Sequence, residues 1–495
     1  MMELETNLGT IQRTFPADSK AQVMHVPKRR VISGDSSNTA YIEALLDLFT
    51  VCLGTMVAHL LFFYGYLRQG RQVPYPGWQI ALYGVAIGSV FVLSLERMRG
   101  YGPGSSLLGV RDTERVLRAT ADSFLISFAF SYVSGIPFSR WVLALNLLVL
   151  PAFVLAEKRL FVSVAQRLHR FRYQVRRVIV YGAGFTGRRV FSILCRSPRL
   201  GLTPVLIVDD DPRIVGQVLH ELSYDHGRSQ TVTRGPITRS LIEQSGADAV
   251  IVAIPSMDRQ RFQSVIEEAS AAGVSVSFVP TQVMPTDHEI DYADIDGLLL
   301  ATWHRPASRL AYQFSKRVLD TVLSAVLLVA ASPLLLLLAA LIRLDSRGSA
   351  LFTQERTGKD GKRFKMYKFR SMYVEAPKYS YHPRSNEDPR ITRTGRWLRK
   401  TSLDELPQLL NVLKGEMSLV GPRPEMPFIT DQYTSRERQR LWVTPGITGI
   451  WQLSADRNYQ IHESLQYDLY YLRHRNFFMD IAILLHTAIF AMRGV

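Results

Sequence analysis

Two cysteines in 495 residues, Cys52 in an apolar run and Cys195 in a soluble-looking helix, support neither a disulfide framework nor a Cys/His metal site. Residues 1–40 lack the short apolar core and cleavage site of a signal peptide, and are expected to form a polar, mildly basic, partly disordered cytosolic tail. Residues 171–300 lack a Tyr-x-x-x-Lys pair or any other clear hydride-transfer apparatus. Acidic residues are scarce: 43 Asp and Glu against 59 Lys and Arg leave a formal charge of +16. The excess is local, since Arg343 to Lys400 holds sixteen Lys/Arg and six Asp/Glu. Such a patch suits nucleic acid, anionic lipid or a phosphate-rich substrate.

The chain is too long for one core. Hydrophobic residues make up 47% but are concentrated in runs near the start and around residue 330, which indicates membrane segments. Four segments, at roughly 42–67, 78–96, 117–135 and 138–161, are each about long enough to cross a bilayer. Asp47 and Asp122 lie inside two of them and are expected to face the other helices. Lys28, Arg29 and Arg30 precede the first segment, Arg97, Arg99, Arg111, Arg115 and Arg118 follow the second, and Lys158, Arg159, Arg167 and Arg170 accompany the end of the fourth. The positive-inside rule then puts both ends of a four-helix transmembrane bundle, about 41–165, in the cytosol.

From Arg176 the pattern alternates between β and α. Val178 to Tyr181 reads as a buried strand running into Gly182, Gly184 and Gly187, a G-x-G-x-x-G match that opens a helix. A second strand, Val205 to Val208, ends at Asp209 and Asp210, about where a ribose-binding acid belongs, and strands near Ala249 to Ile254 and Val274 to Val279 follow. Residues 171–300 therefore read as a Rossmann-like α/β domain, either a nucleotide site or a scaffold or regulatory unit.

Next comes an apolar run, Thr321 to Ile342, interrupted by Ser332-Pro333. Lys316 and Arg317 precede it while Arg343, Arg347 and the basic segment follow, so both ends want the cytosolic side. A helix of about 314–344 that enters one leaflet, bends at Ser332-Pro333 and returns satisfies both flanks, with the serine hydroxyl satisfying a carbonyl that the proline frees. The alternative is a fifth crossing with a proline kink. Glycine turns at Gly358 and Gly361 separate two short basic strands between Gln354 and Met372. Nucleic acid is not expected as a partner, because this patch sits beside a membrane helix and anionic lipid would compete for it.

The densest stretch runs from Leu398 to Glu425 and joins Arg399 and Lys400, a helix-start signal, the adjacent carboxylates Asp404 and Glu405, and the rigid turn Gly421-Pro422-Arg423-Pro424. Ser402 and Glu405 fit a capping box, in which Glu405 is only a cap. A helix N-terminus beside basic residues equally suits a phosphate, and both readings stand on these residues alone.

From Phe314 to the C-terminus the chain closely resembles the bacterial polyprenyl-phosphate sugar phosphotransferases, the monotopic phosphoglycosyl transferases of the undecaprenyl-phosphate glucose or galactose type. Lys316-Arg317 with Asp320, the Ser-Pro helix break, Gln354-Glu355-Arg356, Lys368 to Met372, Thr401 to Gln408, Gly421 to Glu425 and Pro445 to Gly449 carry the resemblance. Four crossings plus a Rossmann-like domain look like the large form, found at the first membrane step of exopolysaccharide, capsule or O-antigen assembly. The resemblance implies a catalytic domain over 312–495 on the cytosolic face of the bacterial inner membrane. A homodimer is compatible with these features, which do not themselves fix the oligomeric state. It implies that Asp404 attacks the sugar-bearing phosphate of a UDP-sugar, releasing UMP and leaving a covalent phosphosugar, which undecaprenyl phosphate then takes. Glu405 would help hold Mg²⁺, Arg423 would clamp phosphate, and Arg356, Arg370, Lys368 and Arg399 are further candidates for phosphate binding. Phe477 to Met492 would lie at the membrane interface. Two other classes compete: a nucleotide-sugar oxidoreductase or epimerase resting on Gly182, Gly184, Gly187 and Asp209, and a non-catalytic assembly scaffold.

Overall fold

The computed structural model describes residues 36–68, 77–98, 100–101, 109–134, 140–167, 176–196, 202–220, 229–279, 289–295, 298–304, 309–376, 388–454 and 465–492. The expected tail lies almost wholly outside them.

Four helices come first: α1 (Ser36–Arg68), α2 (Gly77–Arg97), α3 (Val110–Ser134) and α4 (Arg140–Arg167). Each of α1 and α3 packs against both α2 and α4, so the four form a ring around Val51, Phe91, Leu143 and Val154. Both acids face inward, as expected. Asp47 is fully buried and accepts from Tyr101 Oη at 2.8 Å and from Lys158 Nζ at 2.9 Å, while Asp122 accepts from the Ser94 hydroxyl.

The α/β unit follows: β1 (Arg176–Tyr181), α5 (Phe185–Arg196), β2 (Leu202–Asp209), β3 (Val218–His220), β4 (Ser229–Arg234), α6 (Arg239–Ser245), β5 (Ala249–Val252), α7 (Arg259–Ala271) and β6 (Ser275–Phe278). Its sheet order is β3-β4-β2-β1-β5-β6, parallel except at β3, which is the arrangement expected when each strand returns through a helix. The central strands are apolar in continuous runs because both faces are covered. Helix α7 starts at an Asp258 cap, whose carboxylate accepts from Arg261 N, and α6 ends at Gly246 in the left-handed region. A two-stranded antiparallel unit, β7 (Glu289–Ile295) and β8 (Leu298–His304), leads out.

Helix α8 (Leu310–Asp345) is one uninterrupted helix of 36 residues, with Pro333 inside it. The helix is not broken at Ser332-Pro333 but continues through Pro333. The expected serine compensation is present: Ser332 Oγ donates to Val329 O at 2.8 Å, the carbonyl that an amide at position 333 would have used. Both ends of α8 pack on the domain that follows. Asp320, 4% exposed, accepts from Ser418 Oγ at 2.7 Å and Leu419 N at 3.1 Å, and Arg317 donates to the carbonyls of Val412 and Leu413. Toward the other end, Leu338 and Ile342 share a cluster with Ala350, Phe369 and Leu398, while Asp345 accepts from Thr394 N at 2.9 Å. Between them Val326, Val329, Leu336 and Leu337 are exposed.

The remaining domain contains the antiparallel hairpin β9 (Leu351–Thr357) and β10 (Arg363–Phe369), turned through Asp360 and Gly361 at positive φ. Then come α9 (Arg393–Lys400), a 3₁₀ helix (Leu403–Gln408), α10 (Leu409–Lys414), β11 (Ser418–Val420), α11 (Pro427–Thr430), a second 3₁₀ helix (Glu437–Trp442), β12 (Gly446–Thr448), α12 (Ile450–Leu453), α13 (Leu465–His474) and α14 (Phe477–Met492). Its core gathers Val412, Leu419, Ile450, Tyr471 and Ile483 and also takes in Val110 of α3. Helix α14 lies along α3, where Asn476 donates to Glu114 and His486 meets Thr113. Its inward face, Met479, Ala482 and Ile483, is buried in that core.

Candidate active site

Three elements converge on the two carboxylates. The first is the short helix Leu403–Gln408. Pro407 inside it has no amide hydrogen for an i→i−4 bond, and the segment winds as 3₁₀. Ser402 enters it at φ 56 with no side-chain cap. The capping-box reading fails here for a physical reason: a left-handed Ser402 does not turn its hydroxyl onto the following amides, and the Glu405 carboxylate has stronger partners elsewhere. The helix is also only a single 3₁₀ stretch, so the expected dipole-bearing α-helix start is absent.

The second element is β10, which brings Lys368 Nζ to 2.7 Å from Glu405 Oε1. Strand β10 is held in place by Asn411, fully buried, whose Oδ1 accepts from Tyr367 N and whose Nδ2 donates to Lys365 O. The third is the turn after β11, which brings Arg423 Nη2 to 2.8 Å from the same oxygen. That turn exists because the backbones of Gly421, Gly446 and Gly449 approach too closely for any side chain: a Cβ at Gly421 would stand 2.6 Å from Thr444 O, and one at Gly449 would stand 2.5 Å from Gly421 O.

Electrostatics divide the carboxylates. Burial would raise Glu405, but Arg423 and Lys368 outweigh it and hold its carboxyl well below the usual range. Asp404 moves the other way: burial and the neighbouring Glu405 carboxylate push it up, against Lys368, Arg399 and Arg423. Arg423 is raised by Glu405, and Arg399 is lowered by burial, with Asp404 opposing that shift. Five groups named from sequence, Asp404, Glu405, Lys368, Arg399 and Arg423, are therefore brought together.

Two others are not. Arg370 turns away and serves the C-terminal end of α8, donating to the carbonyls of Ser346, Arg347 and Ile342. Arg356 donates to Pro424 O at 3.3 Å and to Gln354 Oε1 at 2.7 Å, which makes it a brace of the Arg423 turn. Gly182, Gly184, Gly187 and Asp209 form a separate cluster in the α/β unit. There Asp209, 8% exposed, spends its carboxylate on Ala183 N at 2.6 Å and Asp211 N at 2.8 Å. Neighbouring Asp210 is engaged by Tyr181 Oη and pairs with Arg261.

Sequence reasoning missed a buried group behind the turn. Arg440 is 3% exposed and meets Glu425, Tyr433 and Asp468. Nothing in the charged run Arg436 to Arg440 distinguishes it from a solvated surface; only the apolar Leu441-Trp442 that follows hints at burial.

The bacterial sugar transferase family matches residues 311–494, and a family described as a CoA-binding domain matches residues 110–280. The chain is 36% identical over 257 residues to an undecaprenyl-phosphate glucose phosphotransferase of Komagataeibacter xylinus, spanning 48% of each chain. It is 28% identical over 403 residues to the undecaprenyl-phosphate galactose phosphotransferase of Salmonella typhimurium, covering 74% of this chain and 79% of that one. A UDP-glucose:undecaprenyl-phosphate glucose-1-phosphate transferase of Caulobacter vibrioides is 39% identical over 209 residues, covering 41% of this chain and 78% of that one.

Proposed function

Since this chain belongs to the bacterial sugar transferase family, we propose that it moves a sugar 1-phosphate from a UDP-sugar to undecaprenyl phosphate, releasing UMP and starting a surface polysaccharide. The observation that carries this reading is the pairing of Asp404 with a Glu405 that two cations hold ionised. A carboxylate oxygen of Asp404 attacks the sugar-bearing phosphorus, the bond to the UMP oxygen breaks, and an aspartyl phosphosugar remains. A phosphate oxygen of the polyprenyl phosphate then attacks the same phosphorus and returns the carboxylate. Lys368 and Arg423 sit where they offset the negative charge that accumulates in both steps.

The donor set fits Mg²⁺, which takes oxygen ligands and commonly uses one or two carboxylates plus substrate phosphates. Glu405 would hold it together with the substrate phosphates, its Oε1 being already shared by Lys368 and Arg423, while Asp404 is left as the nucleophile. When bound it would neutralise diphosphate charge.

The packing of α8 supports a half-inserted helix. Asp320 and Ile342 are 22 positions apart, about 33 Å along a straight helix, yet both are buried against the same domain. A span crossing a hydrocarbon core of about 30 Å would put those two contacts on opposite sides. With the exposed apolar midsection in one leaflet, the domain lies on the cytosolic face, where a lipid phosphate reaches it without crossing.

The test is UMP release by the full chain in lipid nanodiscs containing undecaprenyl phosphate, with UDP-glucose or UDP-galactose and Mg²⁺. Asp404→Asn should lower the rate by about a thousandfold or more. UMP release by Asp404→Asn at the wild-type rate would remove the nucleophile assignment. A C-terminal reporter read on the periplasmic side would overturn the membrane placement.

A further inference from the structure

The turn that carries Arg423 has little to hold itself with. Pro422 and Pro424 contribute no amide hydrogens, so the segment is anchored by its carbonyls, each claimed from elsewhere. Pro422 O accepts from Gly446 N at 2.8 Å, Arg423 O from Arg440 Nη2 at 3.3 Å, Pro424 O from Arg356 Nη1 at 3.3 Å and Glu425 O from Thr357 N at 3.0 Å. Of the four clamps, Arg440 holds the turn at both a carbonyl and a side chain. Its Nη1 also donates to the Glu425 carboxylate at 2.7 Å and to Tyr433 Oη at 2.8 Å, and its Nη2 pairs with Asp468 of α13 at 2.6 Å.

We propose that Arg440 is a positioning residue: it fixes the Arg423 main chain so that the Arg423 guanidinium stays on Glu405 and on the diphosphate of the donor. The role assigned to Arg423 rests on the transferase reading above. Arg440 itself is buried among Glu425, Tyr433 and Asp468, so it acts through the turn and does not touch substrate. The planar fork matters. One guanidinium meets two carboxylates, a phenol and a carbonyl at once, a set that a lysine ammonium with three donors on a flexible stem does not reproduce.

Removing the charge would strand two buried carboxylates and threaten folding, so the test uses Arg440→Lys, with Tyr433→Phe as a milder second variant. Each is combined with Arg423→Ala in a double-mutant cycle on the full chain in nanodiscs. Two quantities are measured: UDP affinity by calorimetry and kcat/KM for UMP release. Arg440→Lys should weaken UDP binding about tenfold with the thermal transition retained, and should cost less than about twofold once Arg423 is Ala. Tyr433→Phe should move the same way by a smaller factor. An equal loss in both backgrounds, or wild-type UDP affinity in Arg440→Lys, would overturn the positioning role. A non-additive cycle in UDP binding without any UMP release would sink the transferase reading and leave the positioning role standing. UMP release with an additive cycle would do the reverse.

Discussion

Arg423 Nη2 lies 2.8 Å from Glu405 Oε1 and so ties the proline turn to the 3₁₀ helix that presents Asp404. Lys368 reaches the same oxygen from β10, so one carboxylate atom fixes the relative position of three chain segments. The arrangement sets both the electrostatics and the stability of the site.

Glu405→Gln should therefore destabilise the domain at neutral pH by about 1–3 kcal/mol, because Lys368 and Arg423 are left facing each other without their counter-charge. The folded carboxyl is held below its ordinary value of 4.5, so its stabilisation is fully present above that pH and is lost as pH falls through it toward the depressed folded value. Thermal unfolding of the two proteins should differ at pH 7 and converge below 4.5. The gap should be constant above 4.5, and one that does not narrow as pH falls further would show that the ionised pair contributes nothing to it.

The Ser332 hydroxyl compensates for Pro333 by bonding Val329 O, and this too can be isolated. With Pro333 present, Ser332→Ala should cost about 1 kcal/mol. In a Pro333→Ala background the restored amide takes that carbonyl, and Ser332→Ala should be close to neutral. Unfolding in nanodiscs measures both legs, and equal costs would rule out the compensation.

Much of this was legible in the sequence, for identifiable reasons. Continuous apolar strands and the glycine fingerprint are local signals, and they placed β1, β2, β5 and β6 well. The basic cluster was real as a charge count, but charge does not say where a guanidinium points. Arg370 and Arg356 are spent on backbone carbonyls, because the end of α8 and the proline turn offer acceptors that no sequence spacing advertises. The Ser402 cap failed for a similar reason: S-x-x-E is a local rule, and two tertiary cations outbid it for Glu405. Arg440 was invisible because its partners, Glu425, Tyr433 and Asp468, are scattered along the chain.

In the α/β unit the three glycines of the fingerprint are not equivalent. A Cβ at Gly187 would fall on the Gly182 carbonyl, whereas one at Gly184 would meet nothing within 4 Å. Gly187→Ala should cost about 1–3 kcal/mol and expose the unit to limited proteolysis, while Gly184→Ala should leave it intact. Equal sensitivity of both variants would mean that close packing does not explain the motif.

The contact between α3 and α14 should respond to mild acid. His486 Nε2 lies 2.9 Å from Thr113 Oγ1, and burial lowers its pKa, with Arg159 acting in the same direction. His474, stacked on Tyr470, is likewise lowered by burial, with Arg111 and Arg473 adding to the effect. A histidine depressed in the folded state binds fewer protons there than in the unfolded chain. Stability is therefore complete above the ordinary value of 6.5 and falls as pH drops below it. Protection against hydrogen exchange along α14, taken relative to the intrinsic rate at each pH, should fall between pH 6.5 and about 5, and His486→Gln should remove much of that dependence by leaving a neutral side chain at both pH values. Wild-type exchange that changes over this range only by the intrinsic chemical rate would exclude His486 as a determinant of the junction.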